Sequence, residues 1–203
     1  MANDQIGLRE PDQVDWDNYA SGGKFVAPPP AKDQNGNYIT YTGQLPTTIG
    51  QDVTDDGYRT FLLDPIKLVK NPDPSVNGYE IKFTRASVKK FNGKDGKPVE
   101  ASMAGNVLRA AGVVAKPQTN KDYEAAFNLV RGRVVPFTVE WRAANKDTGE
   151  EIVGFDNFPI DPTTGKRKAI LRAGDVLPDG RVVKSEVLFA NARVRYYQNP
   201  NSK

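Results

Sequence analysis

Histidine and cysteine are both absent from this chain of 203 residues. Their absence excludes Ser-His-Asp and Cys-His nucleophilic systems, HExxH and Cys/His zinc sites, and zinc deaminases, because each needs residue types that the chain lacks. It also excludes disulfides, which fits a reducing compartment. Only chemistry performed by carboxylates, lysine, tyrosine or carboxylate-bound magnesium is left. We therefore expect a binding protein, not an enzyme, with no cofactor and no metal.

Long apolar runs are lacking as well. No stretch approaches the roughly 20 residues needed to cross a bilayer. Residues 1–19 are polar and acidic, unlike a secretory signal. We expect a cytoplasmic protein with no membrane partner.

Charge is placed unevenly along the chain. Residues 1–60 carry nine acidic and four basic side chains, whereas residues 166–203 carry nine basic and three acidic ones. A cationic C-terminal region attracts polyanions, although a solvated basic surface has the same composition.

Composition divides the chain into three parts. Residues 1–30 have no sustained apolar period and end in three prolines, which indicates an extended acidic N-terminal arm. Residues 31–198 have the length and apolar content of a single domain. Residues 199–203 form a polar tail.

Alternation of apolar and polar residues predicts the strands. The clearest begins at Arg133, with Val135, Phe137, Val139 and Trp141 on one face. Other strands are predicted at 38–42 after an Asn35-Gly36 turn, at 58–69 with a bend at Asp64-Pro65, and at 79–91, 151–155, 182–187 and 189–197.

Apolar spacing changes to three and four in the middle of the chain. It predicts helices near 101–111 and 120–131, which end at Gly112 and Gly132. The order of strands, two helices and strands indicates a mostly β (α+β) domain. It matches an OB-fold-like antiparallel barrel with a two-helix insert between the third and fourth strands. Other α+β barrels and sandwiches have the same order.

The final strand is the first candidate site. Its alternation places Arg193, Arg195 and Tyr197 on one face and small apolar residues on the other. Guanidinium groups can follow phosphates while a ring stacks on a base, as a single-strand binder requires. A charged edge strand that resists aggregation has the same pattern, so both interpretations stay open.

A basic loop is the second candidate. Lys166, Arg167 and Lys168 follow a turn and could hold backbone phosphates, although a solvated loop explains them equally well. The loop is not a Walker motif, because Ile160 stands where that motif needs glycine.

Further cations and rings complete the predicted interface. Lys82, Lys89, Lys90 and Arg142 lie on strands or strand ends and would extend the cationic surface if their strands are neighbours. Phe83, Phe137 and Trp141 are expected in the core. The rings expected to be exposed are Tyr38, Tyr41, Phe155 and Phe158, and of these Phe155 is included in the interface.

Two acidic clusters invite comparison with metal sites. Asp52, Asp55 and Asp56 form one, and Asp33 with Asn35 and Asn37 forms the other. Neither fits a calcium-loop template, and turn chemistry explains both.

The segment VLRAAGVVAKPQTNKDYEAAFNLVRGR runs into the strand VVPFTVEWRA after the step Val130-Arg131-Gly132-Arg133, and the basic strand ANARVRYY comes late in the chain. These features give the chain a resemblance to the small single-stranded DNA-binding proteins of bacteriophages. The resemblance spans about residues 58–197 and implies an OB-type fold and a role in phage DNA replication or recombination, without enzymatic activity. The acidic segment lies at the N-terminus and not at the C-terminus, which departs from many such proteins.

Single-stranded DNA is therefore the expected partner, in the cytoplasm of the host if the chain is phage-encoded. A homo-oligomer and phage replication or recombination proteins are further candidate partners. The alternative is a virion or assembly protein whose N-terminal arm contacts neighbouring subunits. A carboxylate-metal nuclease is a third class, disfavoured because no acidic cluster falls on a predicted strand beside a lysine.

Overall fold

The computed structural model describes residues 26–90, 92, 101–145 and 153–198. Most of the predicted arm and the polar tail lie outside this part of the chain. The helices are α1 (Met103–Ala110) and α2 (Asn120–Leu129), with two short 3-10 helices, η1 (Pro74–Val76) and η2 (Phe155–Asn157). The strands are β1 (Thr40–Gln44), β2 (Gly50–Val53), β3 (Arg59–Leu62), β4 (Ile66–Leu68), β5 (Glu80–Ile81), β6 (Arg85–Ser87), β7 (Val134–Ala143), β8 (Val153–Gly154), β9 (Ile170–Arg172), β10 (Val187–Phe189) and β11 (Asn191–Tyr197).

The main sheet is antiparallel and has β1 at its centre. Its order is β11-β7-β1-β4-β5, and β8 also pairs with β7. Strands β1, β4 and β5 are successive neighbours, and β7 returns after the helices to lie beside β1, which is a Greek-key arrangement. The prediction of a mostly β domain with antiparallel sheets is confirmed.

The predicted OB-fold-like barrel does not close within the described residues. The end strands β5 and β11 are in contact. No hydrogen-bonded pairing joins these two strands within the described residues. The sheet is therefore strongly curved but open at this seam.

The helices pack between the main sheet and a three-stranded sheet, β2-β3-β6. Helix α1 contacts β6, β7 and β11, and Phe127 of α2 stacks on Phe61 of β3 with ring centroids 4.0 Å apart. The side chain of Ser102 caps α1 by accepting a hydrogen bond from the N–H of Gly105. Thr119 caps α2 in a capping box with Asp122. Both helices were predicted because these signals are local.

Two predicted strands divide. The 58–69 segment breaks at Asp64-Pro65 into β3 and β4, which belong to different sheets. The 79–91 segment breaks between β5 and β6, where Phe83 has a φ of 58°. A left-handed residue interrupts the alternation, so Phe83 leaves the predicted apolar face and is 80% exposed.

The end of the chain also differs from its prediction. Val182 forms only an isolated bridge with Val176. The strand lies later, at β10, and pairs with β9, which the sequence did not predict. No helix in the described ranges is long and apolar enough to span a bilayer.

Candidate nucleic-acid interface

A β-bulge shapes the exposed face of β11. Val194 lies opposite Val139, but the register then shifts by one residue, so that Tyr196 lies opposite Thr138. Arg195 occupies the extra position, and both Arg195 and Tyr196 are exposed. Such a bulge aims two successive side chains to the same side.

The same bulge corrects the prediction for Tyr197. This ring turns inward, is only 2% exposed and lies 5.9 Å from Phe137. Burial raises the pKa of the Tyr197 hydroxyl. Tyr197 is therefore a core residue, and Tyr196, 50% exposed, is the ring that β11 presents to a ligand.

Strand pairing brings three arginines to one face of the main sheet. Arg193 lies opposite Glu140, and Arg142 lies opposite Asn191 on the same side of β7. Arg195 follows Arg193 on β11. We call the surface they form with the adjoining side chains the sheet-face patch: Lys32, Tyr38, Arg142, Arg193, Arg195 and Tyr196.

Tyr38 contacts two cations in this patch. The guanidinium carbon of Arg195 lies 4.1 Å from the centroid of the Tyr38 ring, and the Lys32 Nζ lies 5.2 Å from it. The predicted hairpin positions the ring, with Gly36 at a φ of 83° and a bridge between Lys32 and Tyr38. Cation–π contacts of this kind hold the side chains in an arrangement prepared for a flat, anionic ligand.

The patch is cationic and incompletely neutralised. Partial burial and then the nearby Arg142 guanidinium lower the pKa of Arg193, whereas Glu140 raises it. The Nε of Arg142 is buried and has no hydrogen-bond partner in the part of the chain that the structure describes. Asp156 pairs with Lys32 at 2.7 Å. Neither Arg193 nor Arg195 forms a salt bridge in the described chain. A phosphate bound beside Arg142 and Arg193 would relieve the repulsion between these two like charges.

The basic loop adjoins the patch, but two of its three cationic side chains already contact other groups of the protein. Arg167 covers the Phe155 ring at 4.5 Å and donates a 2.8 Å hydrogen bond to the Phe158 carbonyl. Lys168 pairs with Asp175 at 3.2 Å. Lys166 is exposed. Of the three predicted phosphate contacts in this loop, Lys166 is the one whose charged group remains available in the described structure.

The remaining predicted lysines do not extend the patch. Lys89 forms an ion pair with Asp56 and lies 5.3 Å from the Tyr58 ring. Lys90 follows it beside the helix pair, and Lys82 follows β5. No strand pairing among the described residues places Lys82 beside Arg142; Lys82 follows β5, which contacts β11 without pairing with it.

The rings are distributed differently from the prediction. Trp141 and Phe137 are buried, as predicted. Tyr41 and Phe158, expected at the surface, are buried too: the Tyr41 hydroxyl donates to the Pro30 carbonyl, and burial raises its pKa to about 12. The 28–30 segment and η2 cover this end of the sheet. Tyr38 and Phe155 are half-buried.

Sequence reasoning missed three residues with functional potential: Lys32, Phe83 and Tyr196. Lys32 joins the patch through a bridge to Tyr38 and a contact with its ring, and it pairs with the distant Asp156. The bulge that exposes Tyr196 and the left-handed φ of Phe83 have no sequence signal as clear as a glycine or proline.

The acidic clusters act as turn and ion-pair residues. A carboxylate oxygen of Asp33 accepts hydrogen bonds from the N–H groups of Asn35 and Asn37, at 2.9 Å each. Asp52 pairs with Arg85 and Asp56 with Lys89. Across the described ranges, no group of three or more His, Cys, Asp or Glu residues could hold a metal ion.

Comparisons with protein-family models, curated proteins and solved structures find no match to the chain. Function must therefore be inferred from the residues of this chain.

Proposed function

We propose that this protein binds single-stranded DNA through the sheet-face patch, without sequence preference. The observation that carries the proposal is the stacking of Arg195 on Tyr38 beside Arg193 and Arg142, on one sheet face. Neighbouring guanidinium groups with an exposed ring nearby supply both things that single-strand binding needs, a cationic path for phosphates and a flat surface for bases.

The topology supports an OB-type fold for this binder. An OB-fold is a five-stranded, partly open Greek-key barrel. Here the Greek key is β7-β1-β4-β5, the fifth strand β11 follows β7 at the edge, and both helices fall between the third and fourth of these five strands. The long connection from β7 to β11 carries Lys166 and Arg167, and OB-folds use this connection in binding.

Binding would proceed by charge neutralisation and stacking. Arg142, Arg193 and Arg195 would contact successive phosphates, and the Tyr196 ring would stack on a base. Stacking contributes about 1–3 kcal/mol per base and is sequence-tolerant, because every base has a π-face. Phe83, exposed beside Lys82 at the end of β5, offers a further stacking ring near the seam with β11. A cytoplasmic role in phage DNA replication or recombination is the setting that we propose for this activity.

Titration of a labelled oligothymidine of about 20 nucleotides, and of a duplex of equal length, tests the proposal by fluorescence anisotropy. At about 50 mM salt we expect tighter binding to the single strand. The double variant Arg193→Ala/Arg195→Ala should weaken binding by about tenfold or more, because two phosphate contacts are lost. The matched control is Lys121→Ala/Arg131→Ala, which removes two exposed charges remote from the patch and should leave the affinity unchanged.

Equal affinities of the two double variants would contradict the proposal, as would the absence of any binding at this salt concentration. In that case the assembly role remains, and multi-angle light scattering would reveal it as a stable homo-oligomer that is indifferent to DNA.

A further inference from the structure

A second cationic surface lies on the other side of the helices. An open cleft of about 1020 Å³ separates the α1–α2 pair from the turn between β2 and β3. Among the described residues, its polar and aromatic lining includes Tyr58, Arg59, Lys90, Arg109, Lys116 and Tyr123. Pockets for small ligands typically have volumes of about 300–1,000 Å³, so the cleft has room for a ligand of nucleotide size.

The charged side chains among the described residues that line the cleft are all basic. No Asp or Glu is among the described lining residues. Lys90, Arg109 and Lys116 have no carboxylate partner in the part of the chain that the structure describes. Three cations that converge on a cleft without a counter-charge favour an anionic ligand.

Three described carboxylates on the elements around the cleft are already paired or hydrogen-bonded. Glu124 pairs with Arg59, and Asp56 pairs with Lys89. Asp122 accepts hydrogen bonds from the N–H groups of Gln118 and Thr119, which lowers the pKa of this carboxyl. These acids therefore do not neutralise the lysines and the arginine that face the opening.

Two tyrosines complete the lining of the cleft. Tyr58 is 43% exposed at one wall, and the hydroxyl of Tyr123 lies 3.4 Å from that of Ser102 at another. The Tyr58 ring offers a flat surface for a base, and the two hydroxyl groups can hydrogen-bond to a ligand.

The wall formed by the 111–119 loop is well supported. The Arg133 guanidinium donates a 2.9 Å hydrogen bond to the Ala111 carbonyl, and the Val113 N–H donates to the Leu108 carbonyl. Gly112 between them has a φ of 80°, a conformation that glycine adopts without strain. The loop that presents Lys116 is thus fixed to both α1 and β7.

We infer that this cleft binds a nucleotide, with its phosphate held by Lys90, Arg109 and Lys116 and its base against Tyr58. The ligand is either a free nucleotide or one unit of a DNA strand. Because the cleft and the sheet-face patch are separate surfaces, the inference does not depend on the proposed function.

Isothermal titration calorimetry with thymidine monophosphate, an oligothymidine of about four nucleotides and inorganic phosphate tests the inference. We expect the double variant Arg109→Ala/Lys116→Ala to weaken nucleotide binding by about tenfold or more, and Tyr58→Ala to weaken it less. The control is Lys121→Ala/Arg131→Ala, which removes two exposed charges that do not line the cleft and should bind the nucleotide normally. Circular dichroism and thermal unfolding verify that each variant is folded.

If the monophosphate binds and Arg109→Ala/Lys116→Ala weakens that binding, the ligand is a free nucleotide. If only the oligothymidine binds and the same variant weakens its binding, the ligand is a unit of a strand. The inference is overturned if neither probe binds at millimolar concentration, if inorganic phosphate binds as tightly as both, or if the folded cleft variant binds like wild type. A failure of the proposed function has a different signature, because it leaves oligonucleotide affinity unaffected by Arg193→Ala/Arg195→Ala.

Discussion

Phe83 has an unusual conformation for an aromatic residue. Its φ is 58° and 80% of it is exposed, so the chain accepts backbone strain there without burying the ring. Strained residues concentrate at functional sites. The sequence alone predicted that Phe83 lies in the core, because the period-2 pattern of 79–91 continues through it. No glycine or proline in the sequence indicates that the strand ends at Ile81.

The substitution Phe83→Asn should separate stability from binding. Asparagine tolerates the left-handed region, so we expect the free energy of unfolding in urea to rise by up to about 1 kcal/mol. Affinity for oligothymidine should fall by about tenfold, because a stacking ring is lost. Leu129→Asn, at a position that is 69% exposed on α2, is the control and should keep full affinity. Destabilisation with unchanged DNA affinity would show that Phe83 is a packing residue.

At the scale of elements, local signals were the dependable ones. Both helices were predicted together with their ends, because N-caps, glycines and apolar spacing act within a few residues. Strands that depend on distant partners were predicted less well. Strand β9 has only three residues, too few for a pattern of alternation, and is defined by its pairing with β10. The bulge in β11 likewise depends on its pairing with β7. Because of this bulge Tyr197, which was predicted on the exposed face, is buried, and Tyr196 is exposed instead.

The capping box of α2 has a predictable pH dependence. Hydrogen bonds from the N–H and side chain of Thr119 lower the pKa of Asp122 from 3.8. A depressed folded-state pKa means that the carboxylate stabilises the fold above pH 3.8 and that this contribution disappears as the pH falls through the folded value. We expect Asp122→Asn to lower the melting temperature at pH 7, with a smaller difference from wild type at pH 3. Asp55→Asn, in an exposed turn, is the control. A difference that is equal at both pH values would contradict this account.

At the scale of the whole molecule, the sheet-face patch that we propose as the binding surface is assembled from distant segments. Lys32 and Tyr38 come from the start of the described chain, Arg142 from its middle, and Arg193 and Arg195 from its end. The sequence predicted the three arginines from alternation and charge, but their convergence with Tyr38 requires the order of the sheet. Arg167 and Lys168 were predicted as phosphate contacts from their charge alone. In the structure Arg167 covers the Phe155 ring and Lys168 pairs with Asp175.

The salt dependence of single-strand affinity tests the central claim most directly. If Arg142, Arg193 and Arg195 each neutralise a phosphate, the logarithm of the association constant should fall with the logarithm of salt concentration with a slope of about −2.1. In Arg193→Ala/Arg195→Ala the slope should become shallower by about 1.4, whereas Lys121→Ala/Arg131→Ala should keep the wild-type slope. Identical slopes for all three proteins would contradict the claim that the sheet-face patch binds the DNA backbone.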